Sequence, residues 1–520
     1  MKQISTLFLP NFRSYKNVFI EISNTSISRE RFIDFIKVFG LSLLILNSIF
    51  FIEFEKSGGE WLVSNLSNSS SSYLVLSWFT VGKTLFFFSM GFSNLLAWYS
   101  NVGREGSQWN YLADRINSLI GPVLVWLLIS TVILNWVSTV PSLPNYLTTA
   151  EDGIVPTFEF VLWPLWLVTI YLVLVIFTPL TIYLHKKYPY IALFGLGFLT
   201  FLVDTISFPI SLSYLELLNY LFFWLTVHQI GYFFADGKLQ TIKKQVFLSI
   251  SIGCFSYLFY KLEENTSYLS MTSYRLTSFN NEDPPTFLYL ICSIGLLSLF
   301  LSIRNNIENF LNRKFSWNLF STLHSNIYTV YLWHLILFYF LYLYDINLIY
   351  LPILLIFTSF MFGSYERNTF KLSSNFVKRV NPLQPWPTPI KARFSIINFS
   401  LAWVSAFLIL LGVIHVTLGG IGQDGFNTIR EFYFLSSSTF DGFSRILIGI
   451  LLLNLTVRGK KYTKRLLTFG ILLTLLSIFL KYTNYPELNL NNYYLQITTT
   501  LYFLIVLFAK SNFKIRNKVK

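Results

Sequence analysis

Charge is scarce in this chain. Asp, Glu, Lys and Arg make up 12% of its 520 residues, about half the share of an ordinary soluble domain. So few charges cannot cover the surface of a water-soluble fold of this length, and the mean hydropathy of +0.54 agrees. Cysteine is rarer still: Cys254 and Cys292 are the only two. Both lie inside apolar runs, which excludes a disulfide framework or a metal spacing and leaves small apolar packing residues. No Gly-rich phosphate loop, metal-ligand spacing or nucleophile elbow occurs. No cleavable signal peptide is evident before the first apolar run, and no repeat of fixed period is seen.

What the chain has instead is apolar runs long enough to cross a bilayer, about 20 residues each. They begin near Ile33, Leu74, Ser118, Val161, Tyr190, Leu215, Gln245, Thr286, Tyr328 and Ile346, then near Ser395, Phe443, Thr463 and Tyr494. The fold class expected is all-α, a polytopic transmembrane bundle of about fourteen spans. The net charge of +14 would raise nucleic acid in a soluble protein. Here the Lys and Arg residues sit mostly in alternate short connections, and topology explains them without any nucleic-acid partner. Charge placement predicts both termini in the cytoplasm, in a multi-pass protein of the cell membrane. The stretch 138–160 has no Lys or Arg, and 54–73 is Ser- and Asn-rich with two chance-level glycosylation patterns at Asn65 and Asn68. Residues 366–394 carry Pro382, Pro385, Pro387 and Pro389 among basic residues. They read as a linker between a ten-helix membrane domain (29–365, after a cytoplasmic segment 1–28) and a four-helix region (395–520).

Polar side chains at membrane depth are costly and usually face the bundle interior. His228-Gln229 lies in the second half of the sixth span, which Asp236-Gly237-Lys238 is expected to end in water. The pair can hold a substrate group or move a proton, or can glue neighbouring helices by hydrogen bonds. His334 lies in the ninth span with Tyr331 on the same face. Asp34 and Lys37, three residues apart at the start of the first span, can pair with each other, or Lys37 can simply snorkel. Lys83 lies within the second span and suits a cavity or an anion. Arg115, at the mouth of the third, suits a phosphate-bearing cofactor but is also what orientation alone requires. Asp204 is a further buried polar candidate. His415 reads as a core residue of the eleventh span, and His185 and His324 as loop or near-loop residues. The chemistry open to such a set is general acid–base work by a buried histidine, with basic side chains holding phosphate or developing negative charge.

Several of these fragments together resemble the acyltransferase 3 family of integral membrane enzymes. Arg31-Phe32-Ile33-Asp34-Phe35-Ile36-Lys37 is similar to its opening acidic–basic motif. Phe86 to Phe92 is similar to its second-helix motif, Asp114-Arg115 before Pro122 to its third-helix motif, and Tyr331-Leu332-Trp333-His334 to its Tyr-Leu-x-His motif. Trp163 to Trp166, His228 to Gly237 and Asn281 to Thr286 resemble one branch. The resemblance covers residues 29–365. It implies O-acylation of a cell-surface glycan or lipid-linked sugar hydroxyl, with acyl-CoA, taken as acetyl-CoA, as co-substrate and no metal. On this reading acyl-CoA lies near Lys37, Lys83 and Arg115, and the surviving candidates for catalysis are His228, then His334, with Asp34. The chain departs from the family at three places. Asn47-Ser48 stands where the family's proposed catalytic histidine lies near the end of the first helix, Lys37 replaces an arginine, and Met90 replaces a serine. The missing histidine keeps a second reading open, an inactive relative that binds or translocates a glycan or lipid substrate. A purely structural membrane partner is the third.

Overall fold

The computed structural model describes residues 30–363, except 58–59, 66–70, 104–107, 139–145, 150–153, 211–212 and 265–283. It also describes Glu366, 404–413, Val416, 430–432, 435–437, 439–458 and six isolated positions beyond 470. His415 and most of the last four expected spans lie outside the described residues.

Helices stand at all ten positions expected in 29–365. They are α1 (Arg31–Phe51), α2 (Ser71–Phe79), α3 (Gly82–Gly103), α4 (Gln108–Ser138), α5 (Pro164–Lys187), α6 (Pro189–Ile210), α7 (Asn219–Ala235), α8 (Lys244–Glu264), α9 (Phe287–Ser302), α10 (Arg304–Leu311), α11 (Lys314–His324), α12 (Ile327–Leu343) and α13 (Leu351–Phe362). An apolar segment in lipid satisfies its backbone polar groups internally, and the helix does so within one segment. Among the described residues, five helices are long and apolar enough to cross a membrane, or up to seven if each bent pair counts as one span. The chain is therefore a membrane protein of all-α core. The expected count of fourteen is not reached among these residues, and two of the apolar helices join a shorter arm at a bend. α9 and α10 meet at a 54° bend, and α11 and α12 at 60°. α10 carries Arg304, Asn305, Asn306 and Glu308, so it makes an amphipathic arm beside the apolar α9. The 16 residues of α9 are N-capped by Thr286, whose hydroxyl accepts from Tyr289 N.

Two segments read as polar connections form short strands instead. Ile52–Ser57 (β1) and Glu60–Asn65 (β2) make an antiparallel hairpin. Tyr146–Thr149 (β3) pairs parallel with β2, and Ile154–Pro156 (β4) antiparallel with β3. Phe54 on β1 anchors this sheet to the bundle through Phe160, Phe338 and Tyr342.

α3 is the helix the others close on. Gly40 of α1 and Gly82 of α3 face each other so tightly that a Cβ at Gly82 would stand 2.2 Å from Gly40 O. On the opposite side Gly91 of α3 meets the backbone of His228, and Gly231 of α7 meets Phe88 O, at 2.2 and 2.3 Å from the Cβ positions. Small residues let membrane helices approach at backbone distance, where dispersion rather than the hydrophobic effect holds them. Gly231→Ala should therefore push α7 off α3 and cost about 1–3 kcal/mol. A thermal melt in lipid checks this, and an unchanged melting temperature would contradict the crossing.

Candidate active site

Among the described residues, three groups of buried polar side chains stand out. The first joins α1 to α12. His334 Nδ1 bonds the carbonyl of Tyr331 on its own helix. A carbonyl only accepts, so Nδ1 carries the hydrogen, and the neutral ring presents Nε2 as an acceptor. That nitrogen faces Ser48 Oγ at 3.0 Å. Ser48 Oγ also lies 3.1 Å from Leu44 O on its own helix, a second acceptor within reach of its hydrogen. Both side chains are buried. Beside Ser48, Asn47 accepts from Thr80 at the break between α2 and α3. At the foot of α12, Glu366 accepts from Tyr328 N at 3.0 Å, from Thr329 N at 2.7 Å and from the Thr329 hydroxyl at 2.8 Å. It takes the place of a helix cap and sets negative charge at the positive end of the helix. The Lys37 charge bears on this carboxylate and favours its ionised form.

The second group joins α3, α5 and α7. Tyr171 donates to Asn94 Oδ1 at 3.2 Å, which turns the Asn94 amide N–H toward His228 Nε2 at 2.9 Å. His228 Nδ1 then holds the ring hydrogen, and it has no partner although fully buried. Arg115 donates to Ser93 O at 2.5 Å. Its charge is felt at both His228 and Tyr171.

The third group corrects the expectation that Asp236 ends α7 in water. Asp236 is buried and accepts from His185 Nε2 at 2.8 Å and from Lys238 Nζ at 3.2 Å. His185, read as a loop residue, is buried and takes Gln229 Nε2 on its Nδ1 at 2.7 Å. Gln229 and His228 thus serve different groups although they are neighbours in sequence. Asp236→Ala would leave the His185 N–H and the Lys238 ammonium without their acceptor. It should lower stability by about 1–3 kcal/mol, read by melting in lipid, and Asp236→Asn should recover part of the loss.

Other expected residues take their places around these groups. Asp34 meets His324 Nε2 at 3.3 Å, at the end of α11. Nearby, Arg304 binds Glu30 at 2.6 Å and Glu308 at 2.7 Å, and Arg31 lies over Trp317 and donates to Leu311 O. The opening motif therefore clamps α1 to the α10–α11 arms. Ser48 lies fourteen residues beyond Asp34 on one helix, about 21 Å along its axis. Lys83 is half-buried near the head of α3, ten residues and about 15 Å from Ser93, where Arg115 is bound. Asp204 holds Asn219 Nδ2 at 2.5 Å and the backbone N–H of Phe287, which ties α6 to the starts of α7 and α9. Among the described residues, no three His, Cys, Asp or Glu side chains gather as a metal ion would require.

Sequence reasoning missed Glu366, the Ser48–His334 contact and the Gln229–His185–Asp236 chain. A signal existed for the second: a serine at the expected histidine position is visible in the sequence, but its partner is 286 residues away.

A family model described as an acyltransferase domain matches residues 30–365, more than half of the chain. No curated protein and no solved structure matches it.

Proposed function

Since the chain belongs to the acyltransferase 3 family, we propose that it is a membrane-embedded O-acyltransferase that moves an acyl group, taken as acetyl, from acyl-CoA to a hydroxyl of a cell-surface glycan or lipid-linked sugar. The observation that carries this reading is His334 Nε2, buried in the bundle, fixed as the acceptor by Tyr331 and set against the Ser48 hydroxyl. Of His334 and His228 it is the better base. The corresponding nitrogen of His228 meets the Asn94 amide, which has no proton to give up. We therefore assign the proton to His334 and a structural part to His228, which with Asn94 and Tyr171 joins α3, α5 and α7; this reverses the order expected from the sequence.

We place acyl-CoA at the end of the bundle that holds Lys37 and Arg115, taken as cytoplasmic in the cell membrane with both termini on that side. Arg115 is half-buried there, and a guanidinium suits phosphate recognition. Lys83 sits deeper and would meet the acyl or pantetheine portion. Asp34, paired with His324, positions α1 instead of touching the reacting atoms. The absence of a first-helix histidine favours the second reading, an inactive relative that binds or translocates its ligand.

CoA release from acetyl-CoA by the purified protein in lipid, with and without a membrane glycan extract, separates the two readings. Acceptor-dependent release supports the transferase. Folded protein that binds acetyl-CoA without releasing CoA supports the inactive relative.

A further inference from the structure

We propose that Ser48 is a catalytic nucleophile, forming with His334 a dyad that carries the acyl group as a serine ester between donor and acceptor. This rests on the acyltransferase reading above and adds a covalent step to it. The geometry is that of an activated hydroxyl. Ser48 Oγ and His334 Nε2 stand 3.0 Å apart, within the reach that lets a base take the hydroxyl proton. The base is oriented by a third group, since Tyr331 O holds Nδ1–H and fixes Nε2 as the acceptor. Each of the two helices is anchored at its start. Glu366 fixes the start of α12 and α1 is clamped at Glu30, Arg31 and Asp34. Both reacting side chains are removed from bulk water, which would protect an ester from hydrolysis.

The step balances without any further reagent. Ser48 Oγ attacks the thioester carbonyl carbon of acyl-CoA while its proton passes to His334 Nε2. The carbon–sulfur bond breaks, and that proton leaves with the sulfur as CoA thiol. In the second half, an acceptor hydroxyl attacks the serine ester and gives its proton to His334. The ester bond to Ser48 breaks, and the proton returns to Ser48 Oγ. A histidine acting alone at this position would serve as base for direct transfer; a serine paired with a histidine from another helix makes a two-stage transfer chemically available.

The test uses the full chain in lipid nanodiscs and two probes. A small alkyl fluorophosphonate reports an activated serine whatever the acyl donor, and radiolabelled acetyl-CoA reports the ester itself. The expected result is a fluorophosphonate adduct on the peptide containing Ser48, absent in Ser48→Ala and slowed about 10²-fold or more in His334→Gln. Label from acetyl-CoA should sit on the same peptide, be released by hydroxylamine and be discharged by acceptor. Ser48→Cys should retain the label as a thioester. Acyl transfer that persists at parental rate in Ser48→Ala would overturn the dyad and leave the acyltransferase reading intact. A Ser48 adduct without any CoA release would keep the activated serine but remove acyl-CoA as its substrate. Folded protein giving neither adduct nor label would overturn the dyad.

Discussion

Replacing His334 with glutamine is expected to slow acyl transfer by about 10²–10⁴-fold, the range for loss of a positioned general base. Glutamine keeps much of the side-chain length, and its amide can still meet the Ser48 hydroxyl and the Tyr331 carbonyl. What it lacks is a nitrogen that takes up a proton near neutral pH. Folding and ligand binding should therefore survive while turnover falls, so the loss should appear in kcat with KM for acyl-CoA little changed. His228→Gln is the informative companion. His228 already gives its accepting nitrogen to Asn94, so the substitution should disturb packing between α3 and α7 more than chemistry. If His228→Gln abolishes turnover and His334→Gln does not, the base has been assigned to the wrong helix. Steady-state CoA release with both variants, each checked for its melting temperature, decides the matter.

The sequence was a good guide to where the helices lie and a poorer one to what their polar residues touch. Apolar runs are local, and lipid leaves the backbone little choice but the helix, so each of the ten front positions holds one. The bends after Ser302 and Ser325 were not visible, because the arms α10 and α11 are short and continue the helical period of their neighbours. Partner choice is a long-range matter. The spacing of Asp34 and Lys37 along one helix is legible, but the His324 that meets Asp34 and the Glu366 carboxylate that feels the Lys37 charge come from elsewhere. His228 and Gln229 adjoin in sequence but point about 100° apart around a helix, as the 3.6-residue turn demands, and so enter different networks. Asp236 followed by Gly and Lys has the composition of a solvated helix end. Its burial comes from His185 on the neighbouring α5, which no local pattern announces. The departure at Ser48 could be read directly, but its meaning depended on which atom stands across from it.

Glu366→Ala is expected to be among the most destabilising single changes in the described part of the chain, by about 3–5 kcal/mol, as when one member of a buried charged network is removed. It strips the acceptor from two backbone N–H groups at the start of α12 and from Thr329, and it removes a negative charge that the Lys37 ammonium favours. Since α12 carries His334, activity should fall even where the protein remains folded. The pH dependence sharpens the test. Burial pushes the Glu366 carboxyl above its ordinary value, while Lys37 and the N–H groups of Thr329 and Tyr328 pull it back only in part. A carboxyl raised in the folded state binds its proton more readily there than in the unfolded chain. Its contribution to stability is thus full below the unfolded value and is lost as pH rises through the raised folded value. The parent should lose stability across that window. Glu366→Gln, close in shape and unable to ionise, should flatten the curve there while accepting at least one of the helix N–H groups. Lys37→Met removes the cation that favours the carboxylate, so the window should move to higher pH. Melting temperatures in lipid measured across the acid-to-neutral range for the parent and these three variants test the assignment. A parent curve identical to that of Glu366→Gln would mean that Glu366 does not titrate in this window and that the cap on α12 is held by other means.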